Sequence, residues 1–136
     1  MKTAILAFVG AIAAFISAAF GGWTAALSTM LIFMGLDYLC GLIVAGVFHK
    51  SPKTANGGLE SRAGLKGLFR KGCMLGIVLV GARLDVIMGG HYVRDAVCTA
   101  FIVNEGLSII ENAGLMGVPI PKVISQAIEL LHKKEV

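Results

Sequence analysis

Long apolar runs separated by short polar breaks make up most of the chain. Four runs have this character: residues 4–20, 25–48, 73–89 and 96–110. An α-helix rises about 1.5 Å per residue, and the hydrocarbon core of a bilayer is about 30 Å thick. The pattern therefore predicts helices that cross a membrane. The first and fourth runs are close to the shortest workable length.

Two of these runs admit a second interpretation. Residues 4–20 follow Lys2 and end near small residues at 17–19, as a cleaved secretory signal does. We favour a membrane span there. Residues 96–110 are short and contain Asn104 and Glu105, so an interfacial or re-entrant helix is the alternative to a fourth crossing. The sequence thus predicts three to four transmembrane helices.

The segment between the second and third runs, residues 49–72, is strongly basic. It contains one acidic residue, Glu60, and six basic residues: Lys50, Lys53, Arg62, Lys66, Arg70 and Lys71. By the positive-inside rule this segment is cytoplasmic, and its cations contact anionic lipid. Leu65, Leu68 and Phe69 have helical spacing, which indicates a short amphipathic helix from about Ser61 that leads into the third run.

The last part of the chain, residues 120–134, has the pattern of an amphipathic helix. Its apolar positions recur at helical spacing: Ile120, Val123, Ile124, Ala127, Ile128 and Leu131. Such a stripe is buried either on a membrane surface or on a partner helix. With four crossings both ends of the chain are cytoplasmic, beside Lys2 and the pair Lys133 and Lys134.

Composition supports the membrane class. Apolar residues make up 57% of the chain and charged residues 15%, and the mean hydropathy is +0.84. Soluble domains contain about 45–50% apolar and about 25% charged residues. The net charge of +4 comes mainly from one segment, which does not indicate nucleic-acid binding. The predicted fold is an all-α integral membrane protein with a C-terminal amphipathic helix.

Several polar residues fall inside the apolar runs: Asp37, Arg83, Asp85, Asn104 and Glu105. An ionised side chain at the bilayer centre costs at least about 2.5–3.5 kcal/mol, so such residues have partners or water. Asp37 and Arg83 each lie about 15 Å from the inner end of their run, by helical rise. Two interpretations stay open. Asp37 and Arg83 form a pair that fixes the helix register, or these polar side chains face a water-filled pore.

Small residues recur at helical spacing, including Gly41 and the pair Gly72 and Gly76 in one G-x-x-x-G. Small faces let membrane helices approach closely. Because these stripes exceed what one small bundle can bury, the sequence predicts a homo-oligomer.

No catalytic or ligand-binding pattern is present. The three histidines are dispersed, and Cys40, Cys73 and Cys98 lack redox or metal-ligand spacing. The glycine-rich pieces lack the lysine spacing of a phosphate loop. We therefore predict no enzyme activity, no cofactor and no metal.

From about Met34 onward the chain resembles the phage holin family, also called toxin-secretion or phage-lysis holins. The resemblance rests first on Asp37-Tyr38 followed by Gly41, on the basic stretch 61–71, and on Asp85. Its strongest part is residues 104–114, NEGLSIIENAG, followed by GVPIP at 117–121.

The resemblance implies a multi-pass protein of the bacterial inner membrane that assembles into large oligomers and opens lesions. Its partners would be copies of itself and membrane lipids, with an endolysin or toxin as cargo that is released without stable binding. Asp37, Arg83, Asp85 and Glu105 are expected to be paired before opening and to line water afterwards. Two rival functions are a small ion-coupled or multidrug transporter and an antiholin-type inhibitor.

Overall fold

The computed structural model describes residues 1–135, which form five α-helices and no β-strand. The helices are α1 (Lys2–Ala19), α2 (Ala25–Gly46), α3 (Ser61–Met88), α4 (Val93–Leu115) and α5 (Lys122–Glu135). This confirms the predicted all-α class. Helices α1 to α4 are about 27, 33, 42 and 34 Å long at the usual helical rise.

Local signals determine where the helices begin and end. The Thr24 side chain caps α2, since its hydroxyl accepts a hydrogen bond from the backbone N–H of Leu27. Gly89 ends α3 in the left-handed conformation, with φ of 70°, which costs glycine little. The Asp85 carboxylate then caps α4, because it accepts hydrogen bonds from the backbone N–H groups of Val93 and Arg94.

The core lies between α2, α3 and α4. Helix α2 packs mainly on α4, and α3 packs on α4 from another side. The buried apolar side chains are Leu27, Met30, Met34, Met74, Val78, Cys98 and Ile102. The helices of this bundle run up and down, so it has two ends. We call them the turn end, at residues 20–24 and 89–92, and the loop end, at residues 47–60.

Helix α1 stands apart from this core. It contains no buried residue, and its large apolar side chains, such as Phe8 and Phe15, are exposed. Its own sequence is uncharged after Lys2. An apolar helix that the chain itself does not cover requires lipid or another protein surface around it.

Two helices, α1 and α2, are long and apolar enough to cross a membrane. Helices α3 and α4 do not meet the same criterion among the described residues. Both are long enough, but charged residues interrupt their apolar sequence, including Lys71 and Arg83 in α3 and Glu105 in α4. Crossing by α3 and α4 therefore stays a prediction.

Helix α3 joins two features that the sequence shows separately. The basic segment after the second apolar run is non-helical only as far as Glu60, and from Ser61 the chain is helical without interruption to Met88. The expected amphipathic helix and the third apolar run thus form one continuous helix. Its phase is therefore fixed over its whole length, which places Lys71 on the same face as the buried Met74 and Val78.

Helix α5 folds back along α4. Ile128 is buried and Leu131 packs against the core, whereas Val123 and Ile124 remain exposed. The apolar stripe predicted for this helix is thus buried on the chain's own helices at one end only. The contact depends on Gly106, where an added Cβ would lie 3.1 Å from Ile128 Cδ1.

Replacing Gly106 with Leu is expected to separate α5 from α4. Overpacking of a close contact costs about 1–3 kcal/mol, and detaching α5 relieves it. Hydrogen exchange of the α5 amides should become faster in this variant. The matched control is Gly114→Leu on the same helix, where nothing lies within 4 Å of an added Cβ. Equal exchange in the two variants would contradict the packing described here.

Candidate functional site

Lys71 joins three helices through two ion pairs. Its Nζ lies 2.8 Å from Asp37 Oδ2 on α2 and also donates a hydrogen bond to Glu105 Oε2 on α4. We call Asp37, Lys71 and Glu105 the charged cluster. It contains two carboxylates and one ammonium group, so its net charge is −1 when all three are ionised.

The charged cluster is buried near the middle of the helices. Asp37 is 6% exposed and Glu105 is 3% exposed. Lys71 lies ten residues into α3, about 15 Å from its start. The buried carboxylates depend on Lys71, because an isolated buried charge is very unfavourable.

Further polar groups surround the charged cluster. The Asn112 amide donates a hydrogen bond of 3.2 Å to Asp37 Oδ1. The next residue of α2 after Asp37 is Tyr38, whose hydroxyl donates a hydrogen bond of 3.2 Å to the carbonyl of Gly64 on α3. The Tyr38 ring lies close to Gly67, where an added Cβ would be 3.6 Å from it. The glycines of the basic stretch thus let α3 approach α2 beside the cluster.

A partly open cavity of about 380 Å³ leads to the charged cluster. It lies between α3 and α4, with α2 as its floor and residues 51–54 and 59–60 of the loop at one end. Its charged and amide side chains are Asp37, Lys53, Glu60, Arg70, Lys71, Asn104, Glu105, Glu111 and Asn112. A space of this size with many polar partners holds several water molecules. The cluster is therefore accessible to water from one side of the bundle.

The interior between the charged cluster and the turn end has the opposite character. From the charged cluster toward residues 20–24, the interior is filled by the apolar core residues, of which Met30 and Val78 are fully buried. The bundle is thus polar and open near its loop end and apolar and filled between the charged cluster and the turn end. The turn end itself has a second, partly open cavity of about 300 Å³, whose lining includes Asp85, His91 and Arg94.

A second polar arrangement holds the turn end together. Arg94 is 8% exposed, and its Nη1 donates hydrogen bonds to the carbonyl oxygens of Phe20, Gly21 and Gly22 at 2.8, 2.9 and 3.1 Å. These carbonyls lie where α1 ends, with Gly21 and Gly22 at positive φ. Close approach of α3 is possible because Gly81 has no side chain, and an added Cβ there would lie 3.2 Å from Arg94 Cα. Arg94 thus fastens the α1–α2 turn to α3 and α4.

A pair between Asp37 and Arg83, one of the two interpretations that the sequence leaves open, is not found among the residues that the structure describes. Asp37 pairs with Lys71 instead, and the Arg83 side chain is exposed on α3. The physical reason is the phase of α3, which turns Arg83 away from the buried face that carries Lys71 and Asp85. Asp85 is buried as an N-terminal cap of α4, and Asn104 is exposed at the edge of the cavity.

Lys71 was expected at the lipid headgroups with the other basic residues, and the structure corrects this assignment. Its ammonium group is held inside the bundle between two acids. The other members of the group are exposed: Lys50, Lys53, Arg62, Lys66 and Arg70. Their contact with lipid stays a prediction.

The three glycines predicted to pack helices make no close contact with other parts of the chain that the structure describes. An added Cβ on Gly41, Gly72 or Gly76 would meet nothing within 4 Å. Close helix contacts occur instead at Gly81 and Gly106. Contacts of the three predicted glycines with another copy remain a prediction.

Sequence reasoning missed Lys71 and Arg94 as buried charges. The signal for Lys71 was available, because Lys71, Met74, Val78, Ala82 and Asp85 recur at helical spacing on one face. No comparable signal identifies Arg94 as buried. It pairs with the adjacent Asp95, but the three carbonyls that hold it at the turn end lie more than 70 residues away along the chain.

Comparison with known proteins gives one family. The family model described as the bacteriophage holin family matches residues 14–133. A protein named probable holin from Bacillus phage phi105 is 34% identical over 107 residues, which cover 78% of this chain and 73% of that protein.

Bacterial relatives are also similar over most of their length. An uncharacterised 14.9 kDa protein of Clostridium perfringens is 39% identical over 118 residues, which are 85% of this chain and 83% of that protein. An uncharacterised protein of Listeria monocytogenes is 33% identical over 135 residues, 98% of this chain and 88% of that protein. No solved structure matches this chain.

Proposed function

The chain belongs to the bacteriophage holin family, and we propose that it acts as a holin. Copies gather in the bacterial cytoplasmic membrane and form pores or lesions that release an endolysin or toxin, which triggers lysis of the host. The observation that carries this proposal is the polar cavity around the charged cluster, set among helices with apolar outer surfaces. The apolar outer surfaces of the helices are suited to contact with lipid, and the polar cavity is suited to contact with water.

In this proposal α1 to α4 all cross the membrane, and residues 47–60 lie in the cytoplasm. The exposed cations beside this loop, such as Lys50 and Arg62, support that orientation by the positive-inside rule. The charged cluster then lies near mid-depth, with water reaching it from the cytoplasmic side. The apolar core residues between the charged cluster and the turn end separate this water from the external side.

Opening requires the charged cluster to change its environment. In one chain, Lys71 neutralises one of the two negative charges of Asp37 and Glu105 and holds α2, α3 and α4 together. When copies assemble and helices separate, water replaces these pairs and the same side chains line the opening. Charged groups buried in low dielectric gain most from such hydration. The stability of the cluster thus sets how readily the membrane opens.

Replacing Asp37 or Glu105 with Leu is expected to change lysis timing or abolish lysis. Each variant leaves Lys71 one carboxylate partner and brings the net charge of the cluster from −1 to zero, so the chain should still insert normally. Membrane content and the time of the drop in culture turbidity are the measurements. A matched control is Glu129→Leu, since Glu129 is an exposed acid on α5. Unchanged timing in both cluster variants would remove the carboxylates from the mechanism.

Controlled expression together with an endolysin tests the function itself. A holin should produce abrupt lysis only when both proteins are present, because the endolysin must cross the membrane to reach the cell wall. A transporter or an antiholin would leave the endolysin inside, and the culture would keep its turbidity. That second result would overturn the proposed function.

A further inference from the structure

Helix α3 carries an exposed stripe with the spacing of a helix-packing seam. Its residues are Lys66, Phe69, Cys73, Gly76, Val80, Arg83 and Ile87, all exposed. The intervals alternate between three and four residues, which keeps the stripe on one side of a helix over several turns. We call this stripe the α3 seam. Among the described residues, nothing lies within 4 Å of an added Cβ at Gly76, so the middle of the α3 seam has room for a closely packed helix.

Helix α4 carries a second stripe of this kind. Its exposed residues are Ala96, Ala100, Asn104, Leu107, Glu111 and Gly114. The rest of the α4 surface contacts α2, α3 and α5. This α4 seam contains small residues together with one amide and one acid, Asn104 and Glu111, which also border the polar cavity at the charged cluster.

The charges on the two seams are complementary. The α3 seam carries the cations Lys66 and Arg83, and the α4 seam carries the anion Glu111. Among the side chains that the structure describes, none of these three forms an ion pair. Contact of two identical seams would bring like charges together. Contact of an α3 seam with an α4 seam would bring opposite charges together.

The seams also match in height along the bundle. Cys73 lies 15 residues before the end of α3 and Leu107 lies 14 residues after the start of α4. Because α3 and α4 meet at the turn end, the two residues differ in height by about 1.5 Å. By the same count, Gly76 and Asn104 also differ in height by about 1.5 Å, and Lys66 and Glu111 lie about 6 Å apart in height, within reach of their long side chains.

We propose that the α3 seam of one copy packs against the α4 seam of a second copy, head to tail. This inference rests on the proposed function, for which assembly in the membrane is required. Each added copy leaves one free α3 seam and one free α4 seam, so the contact does not stop at a dimer. The seams therefore supply a route to assemblies large enough for a protein-sized opening.

Oxidative cross-linking in membranes tests this contact. Native Cys73 on the α3 seam is exposed, while Cys98 is buried. In a Leu107→Cys variant, head-to-tail contact gives a disulfide ladder of dimers, trimers and larger species. Co-expression of a tagged native chain with a differently tagged Cys73→Ser, Leu107→Cys chain gives a dimer that carries both tags. The matched control moves the thiol to another exposed side of α3, with Cys73→Ser, Leu68→Cys and Leu107→Cys, and gives no ladder.

A charge exchange gives an independent readout in the Leu107→Cys background. Lys66→Glu and Glu111→Lys should each weaken the ladder, and the two together should restore it. Two results would overturn the proposal. One is a disulfide dimer formed through Cys73 alone, with no ladder in the Leu107→Cys variant. The other is a ladder that these charge changes do not affect.

The outcomes for the contact and for the proposed function can be told apart. Lysis of cells whose protein gives no ladder rejects the contact and leaves the proposed function intact. A ladder without lysis rejects the proposed function and leaves the contact intact.

Discussion

Replacing Lys71 with Met is expected to destabilise the bundle strongly. The change removes the one cation of the charged cluster and leaves Asp37 and Glu105 buried together with a charge of −2. Removing one partner of a buried ion pair costs about 3–5 kcal/mol, because the remaining charge is uncompensated. Here two carboxylates lose their partner at once, so the cost is at the upper end of that range.

Thermal unfolding of the protein purified in detergent measures this loss. The control is Lys66→Met on the same helix, where the side chain is exposed and its removal should change the midpoint little. A triple variant, Lys71→Met with Asp37→Asn and Glu105→Gln, removes all three charges and should recover most of the stability. If Lys71→Met and Lys66→Met unfold at the same temperature, the charged cluster does not hold the helices together.

Replacing Arg94 with Met is expected to release α1 from the bundle. The guanidinium group makes three hydrogen bonds to carbonyls at the end of α1. Hydrogen bonds to charged groups contribute about 1.5–3 kcal/mol each, so the loss should reach about 3 kcal/mol or more. Because α1 has no buried residue, little else retains it.

Hydrogen exchange at residues 20–24 reports this release directly. It should become much faster in Arg94→Met, while exchange near the charged cluster stays slow. The control is Arg83→Met, which removes an exposed arginine from the same end of the bundle. Equal exchange of residues 20–24 in the two variants would show that α1 is retained by something other than Arg94.

Much of the helical framework could be predicted because it depends on local patterns. Uncharged runs such as residues 4–20 need a helix to satisfy their backbone in an apolar solvent, whatever the rest of the chain does. Breaks such as Gly21 and Gly22 and the left-handed Gly89 are local too. The approach of Tyr38 to Gly64 and Gly67 and the packing of α5 on α4 depend instead on contacts between distant residues.

The candidate site could be predicted only in part. Asp37 and Glu105 are identifiable because a carboxylate in an apolar run needs a partner. The partner itself depends on which face of α3 meets α2 and α4, and counting residues from run ends does not give that phase. Estimated depth in the membrane alone favours Arg83 as the partner of Asp37. Lys71 has both a suitable depth and a position on the buried face of α3, because α3 begins at Ser61. Arg94 lies beyond such reasoning, since its backbone acceptors carry no sequence signature.

Release of a folded protein from liposomes is the most direct test of the central claim. Purified chain is reconstituted at rising density into vesicles that contain a fluorescent protein and a small dye. The account predicts that both cargoes escape together above a threshold density, and that Asp37→Leu or Glu105→Leu shifts the threshold. Escape of the dye alone, or retention of both cargoes at every density, would contradict it.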